Sequence, residues 1–295
     1  MIKIILGKFD SWAYALRVAR KHFRNWYLVV LCSLFRQPCR AVLRGGGAVV
    51  WNARGLLKKI VRYENKWLMA GQTAPLIKHV DGFIVFSLFE FTYRIPFHFF
   101  MKRMVWPSSE IAAEYPVDVS GKVVLDIGAY TGDTVLYFLS RGAVKVIAVE
   151  PVPEHFEVLK LNTQGLPVVG INAAVGCKAP YLKELIGSGS YGIKEVRSDE
   201  IAWLNVPVLS LVELVRKHNP QVVKIDCEGC EYFIIDEIIK LRELGVEQVI
   251  VELHDKPGKL HDMLDALKMG LGEPRNMISH KNKTLVVLWD LKLAL

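Results

Sequence analysis

Four short stretches of this chain carry side chains at spacings that could do chemistry. The first is Val124-Leu125-Asp126-Ile127-Gly128-Ala129-Tyr130-Thr131-Gly132-Asp133-Thr134, an apolar run ending in a glycine-bearing turn with an acid on each side. Glycines there let the backbone approach a ligand closely. The spacing is not that of a dinucleotide fingerprint, and Asp126 and Asp133 would repel a pyrophosphate; they suit a ligand that carries positive charge. The second stretch, Val149-Glu150-Pro151, ends the next apolar run. An acid at the end of a second strand, roughly 20 residues past the turn, accepts hydrogen bonds from ribose hydroxyls. The third is Lys224-Ile225-Asp226-Cys227-Glu228-Gly229-Cys230-Glu231, and the fourth Val251-Glu252-Leu253-His254-Asp255. Asp226, Glu228 and Glu231 cluster at the carboxyl end of a strand, where ligands of open α/β sheets bind, and His254 is a base, a substrate contact or a histidine satisfied at its strand end. Glu228 and Glu231 stand three apart, a spacing that shares one helical face.

A nucleoside bearing a sulfonium and an ammonium, S-adenosylmethionine, meets both demands: a ribose for Glu150 and positive charge for the acids of the turn. No metal ligand set is assigned. Cys227 and Cys230 form a CxxC, but no second cysteine pair and no thioredoxin-like context accompany it, so it reads as neither zinc site nor redox motif. Five cysteines are too few and too scattered for a disulfide framework.

Acids at strand ends need strands to hold them. From Gly121 onward, apolar runs recur at Val123–Ile127, Val144–Val149, Val168–Ile171, Val222–Ile225, Val246–Leu253 and Leu285–Trp289. Helical patterns fall between several of them, at Thr134–Ser140, Glu154–Asn162, Leu209–Lys217 and Tyr232–Leu241. Unbroken Val/Ile/Leu runs alternating with helices predict a parallel sheet buried on both faces, and ligands of such sheets bind at the carboxyl ends of the strands. Between Ala179 and Val206 this rhythm breaks, and Gly187, Gly189 and Gly192 suit an acceptor loop or lid.

The N-terminal part is of another kind. The chain has 295 residues and a formal charge of +8, yet residues 1–66 hold 14 Lys or Arg against Asp10 and Glu64, a net of +12. Apolar residues from Trp12 to Leu34 at helical spacing predict one basic amphipathic helix over 10–35, stopped by Gln37-Pro38. A break at Gly45-Gly46-Gly47 and a second basic helix over Val49–Tyr63 should follow, then a strand pair over 80–100. The expected partition is a helical extension over 1–79, a connecting segment over 80–120 and an α/β domain over 121–295. Such a basic, aromatic-rich arm suits an anionic partner, either a membrane surface or RNA. Met1–Asp10 is too short for a secretory signal, Trp26–Phe35 spans about half a bilayer, and Glu90, Arg94 and His98 interrupt Phe83–Met101. The reading is a cytoplasmic protein that the basic helix could hold at a membrane.

The four motifs in this order resemble the FkbM family of methyltransferases, over about residues 121–255, with the KIDxEGxE segment the most specific part. The resemblance implies a Rossmann-like class I fold, a mostly parallel seven-stranded sheet whose last strand is antiparallel. It implies binding of S-adenosylmethionine around Asp126, Gly128, Tyr130, Gly132 and Asp133, with Glu150 on the ribose and Asn172 and Ala173 near the adenine. It also implies O-methylation of a hydroxyl on a sugar, glycolipid or secondary-metabolite-like acceptor, with Asp226, Glu228 and His254 facing the transferred methyl or the acceptor; for taking the acceptor's proton, His254 is then the better base and Asp226 the better cofactor or positioning group. Two alternatives stay open: an RNA methyltransferase using the basic arm, and a non-catalytic binding protein that keeps the fold. The acids retained at several strand ends speak against the latter.

Overall fold

The computed structural model describes residues 12–102, 106–176, 181–184, 191–194, 206–254, 259–280 and 284–291. They fall into two compact units, Met1–Ile111 and Ala112–Leu295, so the strands expected over 80–100 belong with the N-terminal helices.

In the first unit the helix expected over 10–35 is two, α1 (Trp12–His22) and α2 (Trp26–Leu34). The hairpin β1 (Pro38–Val42) and β2 (Ala48–Asn52) breaks it: Phe23 bridges Leu43, the Arg24 amide donates to the Val42 carbonyl, and Asn25 bonds the backbone of Arg40 and Val42. The break resets the helical phase, which leaves Leu34 outside. The glycine triplet is the hairpin turn rather than a loose linker. At Gly47, where φ is +74°, a Cβ would lie 1.9 Å from the His79 carbonyl oxygen, so only glycine fits. Val49 is accordingly in a strand, and the second helix, α3 (Ala53–Met69), starts later than expected because the Asn52 side chain caps it through the Gly55 amide. Strands β3 (Lys78–Val80), β4 (Phe83–Leu88) and β5 (Phe91–Pro96) form an antiparallel meander, followed by α4 (Phe97–Lys102). Tyr63 is fully buried at the centre of the unit; it donates to the Pro75 carbonyl and meets the rings of His22, Trp67, Phe86 and Phe100. Helix α5 (Ser108–Glu114) leads into the second unit.

That unit contains the expected sheet. Its strands are β6 (Val123–Ile127), β7 (Lys145–Val149), β8 (Val168–Ile171), β13 (Val222–Ile225), β14 (Gln248–His254), β15 (Asn276–His280) and β16 (Thr284–Asp290). The order is β15-β16-β14-β13-β6-β7-β8, and only the last strand in the chain, β16, runs antiparallel to its neighbours. Strands β6, β7, β13 and β14 are buried along most of their length and make the centre of the sheet, as both-face burial requires. Helices α6 (Asp133–Ser140), α7 (Pro153–Asn162), α8 (Leu211–His218), α9 (Ile235–Ile239) and α10 (Leu260–Leu271) connect the strands. The helix expected over Tyr232–Leu241 is shorter: a 3-10 turn over Cys230–Phe233 precedes α9 and another over Lys240–Arg242 follows it. A short parallel pair, β9 (Ala174–Val175) with β12 (Val208–Leu209), lies beside the main sheet. Most of the expected acceptor loop lies outside the described residues; its described parts, β10 (Tyr181–Glu184) and β11 (Tyr191–Lys194), pair antiparallel.

The antiparallel strand is anchored by Trp289, which is fully buried and donates its indole N–H to the Gly272 carbonyl at 3.0 Å. Trp289→Ala is expected to cost about 3–5 kcal/mol of unfolding free energy, as for other buried aromatics. Urea denaturation measures this, and a loss under about 1 kcal/mol would show that this strand is not seated in the core.

Candidate active site

The carboxyl ends of β6, β7, β13 and β14 carry every acid that the sequence singles out except Asp133, which opens α6. Beneath them lies a buried ion pair. Lys224 is 1 % exposed, and its ammonium lies 3.1 Å from Asp126, 3.4 Å from Asp226 and 3.1 Å from the Gly128 carbonyl oxygen. Burial alone would depress the lysine pKa, but Asp126 and Asp226 more than reverse this and hold the ammonium charged. Asp126 is wholly buried and also accepts from Thr134 Oγ1 at 2.5 Å. It therefore lies under the turn and shapes it from within, whereas the sequence reading has it contact the ligand. The glycine at 128 also has a reason that the sequence hides. With φ at +78°, a Cβ there would stand 1.7 Å from the Asp226 carbonyl oxygen, so the close approach is to the neighbouring strand.

The turn spans two clusters. On the β7 side, Glu150 is 4 % exposed and accepts from the Tyr130 amide at 2.9 Å and the Val152 amide at 2.9 Å, with His155 Nδ1 at 3.3 Å. Tyr130 stands at φ +46° and packs edge-on to His155 at 4.5 Å. Asn172 donates to the carbonyls of Glu150 and Pro151, and Ala173 is fully buried beside it. Glu150, Tyr130 and Asn172 are thus brought together, and Gly132, at φ +92°, turns the chain into α6. Asp133 opens that helix, and burial pushes its carboxyl up to about 6 against the opposing pull of Lys224.

On the β13 side, His254 is the hub. Its Nδ1 faces Glu231 at 3.2 Å, and its Nε2 faces Glu228 at 3.4 Å and Asp226 and Glu252 at 3.8 Å each. Burial disfavours charge on the ring, but the hydrogen bond to Glu231 and the charges of Asp226, Glu231 and Glu228 push it up to about 10. Glu252 moves up as well, through burial and the charge of Asp226. Glu228 and Glu231 do not share a helical face. Glu228 is at φ +55° and Gly229 at φ +112°, and this sharp reversal sends the two carboxylates to opposite edges of the imidazole. Glu231 is fully buried and also receives the Gly229 amide at 2.8 Å and the His254 amide at 3.1 Å.

The same reversal gives the CxxC a pairing that the sequence reading does not foresee. It brings the Cα atoms of Cys227 and Cys230 to 5.4 Å, and the two sulfurs form a disulfide. Bonded to each other, they offer no thiolate to a metal. Sequence reasoning also passed over Lys224, Tyr115 and Glu252. Tyr115 Oη donates to Glu252 Oε2 at 3.5 Å, and its ring lies 5.6 Å from the Lys224 ammonium. Charge balance was the available signal for Lys224: a strand-end acid as deeply buried as Asp126 needs a cation. Among the described residues, Asp226, Glu252 and His254 can each present a ligand atom within 4.8 Å of one another, a spacing that a divalent ion could use only with the imidazole deprotonated. The carboxylate pattern also fits S-adenosylmethionine, with an oriented acid for ribose hydroxyls at Glu150 and negative charge at Asp133 for the cationic end.

Residues 126–273 match the family described as the methyltransferase FkbM domain. No curated relative matches the chain. Among solved structures, the chain is similar to an S-adenosylmethionine-dependent methyltransferase from Agrobacterium tumefaciens, at 12% identity, covering 72% of each chain, with a TM-score of 0.44. Aeropyrum pernix fibrillarin, in complex with S-adenosyl-L-methionine, is 11% identical over 85% of this chain and 92% of its own, with a TM-score of 0.39. A ribosomal protein L11 methylase from Lactobacillus delbrueckii subsp. bulgaricus is 11% identical over 74% of this chain and 87% of its own, with a TM-score of 0.41. The domain match takes in half of the chain, and the chain belongs to the FkbM family of S-adenosylmethionine-dependent methyltransferases.

Proposed function

We propose that the protein transfers a methyl group from S-adenosylmethionine to a hydroxyl oxygen of a sugar, glycolipid or secondary-metabolite-like acceptor. The convergence of Asp226, Glu228 and Glu252 on His254 Nε2, at 3.4–3.8 Å, carries this reading. S-adenosylmethionine supplies an electrophilic methyl on a sulfonium. The chain must then hold the acceptor oxygen in line and receive its proton. Alignment alone supplies roughly 7–11 kcal/mol of barrier reduction.

The electrostatics redistribute the roles that the sequence suggests. With its pKa near 10, His254 is an imidazolium at neutral pH and cannot act as the base. It serves instead to hold the carboxylates around the acceptor. Asp226 is tied to Lys224 and positions. Glu228, with 35% of its side chain exposed, is the most open of the three carboxylates and takes the proton. On the other side of the turn, Glu150 holds the ribose, Asn172 and Ala173 border the adenine, and Asp133 faces the cationic end, with Gly128, Tyr130 and Gly132 shaping the cradle. The highly basic N-terminal segment gives RNA as a second class of acceptor and a membrane surface as a second kind of contact.

Transfer of labelled methyl to glycans and hydroxyl-bearing glycolipids, with RNA assayed in parallel, tests this. Label in a glycan or lipid ether is expected; label in RNA alone would replace the first reading with the second. Glu228→Gln should lower kcat by about 10²–10⁴-fold, the range of general-base help. Its affinity for S-adenosylmethionine should stay within about twofold; a kcat within threefold of the parent would remove Glu228 from proton transfer.

A pH dependence follows from Asp133. Its carboxyl titrates near 6 in the folded protein, and a cationic ligand favours the ionised form. Affinity for S-adenosylmethionine should therefore be full above that value and fall as the pH drops through it, and Asp133→Asn should flatten the profile. Calorimetric titration between pH 5 and 8 reads this directly, and identical profiles for parent and variant would place the cationic end elsewhere.

A further inference from the structure

Helix α2 turns apolar side chains to solvent. Its nine residues, Trp26 to Leu34, include no charged side chain, and of these only Val29 and Ser33 are buried. The opposite face carries Tyr27, Leu28, Leu31, Leu34 and, just past the end, Phe35, at 65%, 38%, 51%, 54% and 68% exposure. Positions 27, 28, 31, 34 and 35 fall on one side of a helix. An apolar stripe thus points to solvent, although Val29 and the half-buried Trp26, Val30 and Cys32 already give the helix an apolar inward side. An ordinary surface helix turns a polar face outward, and a contiguous exposed apolar face marks an interaction site.

What surrounds this face selects the partner. Exposed Arg20 and Arg24 precede α2, exposed Arg36 follows it, and Arg40 is exposed on β1, where its carbonyl accepts from Asn25 at the start of α2. Arg20 also lies over the Trp26 ring at 5.5 Å. Glu64 is the only acid between residues 12 and 66, and Lys21 and His22 both engage it. Apolar and aromatic side chains rimmed by arginines, with no acid among them, match a bilayer interface of anionic lipid: the side chains enter the acyl boundary and the guanidiniums meet phosphates. RNA would use the arginines but gain nothing from three exposed leucines. No helix among the described residues is long and apolar enough to cross a membrane, so the contact is a peripheral one.

We propose that the outward face of α2, Tyr27, Leu28, Leu31, Leu34 and Phe35, with Arg24, Arg36 and Arg40 beside it, docks the protein on an anionic membrane surface. This assignment differs from the expectation at sequence level, which gave the role to one amphipathic helix over 10–35. Ala15, Val18 and Ala19 of α1 face the core, so the lipid-facing surface belongs to α2. It is independent of the chemistry at the methyl-transfer site.

Co-sedimentation of the full chain with vesicles of phosphatidylcholine and phosphatidylglycerol (3:1), and with pure phosphatidylcholine vesicles, tests it. At least tenfold tighter binding to the anionic vesicles is expected, weakening as salt is raised. The surface variant Leu31→Glu/Phe35→Glu should lose at least tenfold in vesicle affinity while it binds S-adenosylmethionine as the parent does and keeps the parent's near-ultraviolet circular dichroism, to which the aromatic core of the first unit around Tyr63 contributes. Equal binding of parent and variant, or no binding of the parent to anionic vesicles, overturns the proposal. So does a concentration-dependent dimer that the double variant abolishes while neither protein binds vesicles, which would give the face to a second copy. Binding to single-stranded RNA without binding to anionic vesicles overturns it equally.

Discussion

A lysine ammonium buried between two strand-end aspartates is the constraint on which the site depends. Asp126 ends β6 and Asp226 follows β13, and these strands are direct neighbours at the centre of the sheet. Asp126 is wholly buried and Asp226 partly so, and Lys224 is the cation shared by both. The pair is costly to desolvate and gains little over a hydrophobic substitute. What it provides is placement. The same ammonium holds the Gly128 carbonyl, so the turn after β6 is fixed against β13, and that turn in turn presents its Tyr130 amide to Glu150 at the end of β7. One cation thereby ties together three strand ends that the proposed reaction must use at once.

Above this base the acids divide. Glu150, beside β7, is bound to backbone amides and to His155, which suits a fixed hydrogen-bonding platform. Those beside β13 and β14 crowd one imidazole, which they hold protonated. A histidine in such company is a charge partner for its neighbours, and in the proposed reaction the proton-accepting role passes to a carboxylate. The buried Glu231 maintains this arrangement, since it receives both the backbone amide and Nδ1 of His254.

Much of the sheet was legible because both-face burial leaves unbroken apolar runs. Val123–Ile127, Val168–Ile171 and Val222–Ile225 are strands with the bounds that the sequence indicates. Helix α10 and strand β15 escaped notice, because their sequence, from Leu260 to His280, mixes charges and lacks such runs. The first unit was read less well. Periodicity cannot show that Asn25 and Phe23 pair with a hairpin some 20 residues on and so end a helix whose apolar spacing continues across the break. The site was legible as a set of acids and illegible as a set of partners. Asp126 and Glu150 both end apolar runs, yet one lies wholly beneath the turn and the other supports its surface. The cysteine pairing was missed for a related reason: spacing alone does not reveal that two left-handed residues, Glu228 and Gly229, fold the two sulfurs together.

The most direct test of this account is a double-mutant cycle on Lys224 and Asp126, with Lys224→Met, Asp126→Leu and the double variant compared by urea unfolding. Lys224→Met leaves the buried Asp126 without its cation and should cost about 3–5 kcal/mol, and Asp126→Leu, which leaves Lys224 to Asp226 and the Gly128 carbonyl, should cost less. The double variant should be less destabilised than the sum of the singles by at least about 2 kcal/mol. Losses that add to within about 0.5 kcal/mol would mean that the two groups do not depend on each other, and the site would need another foundation.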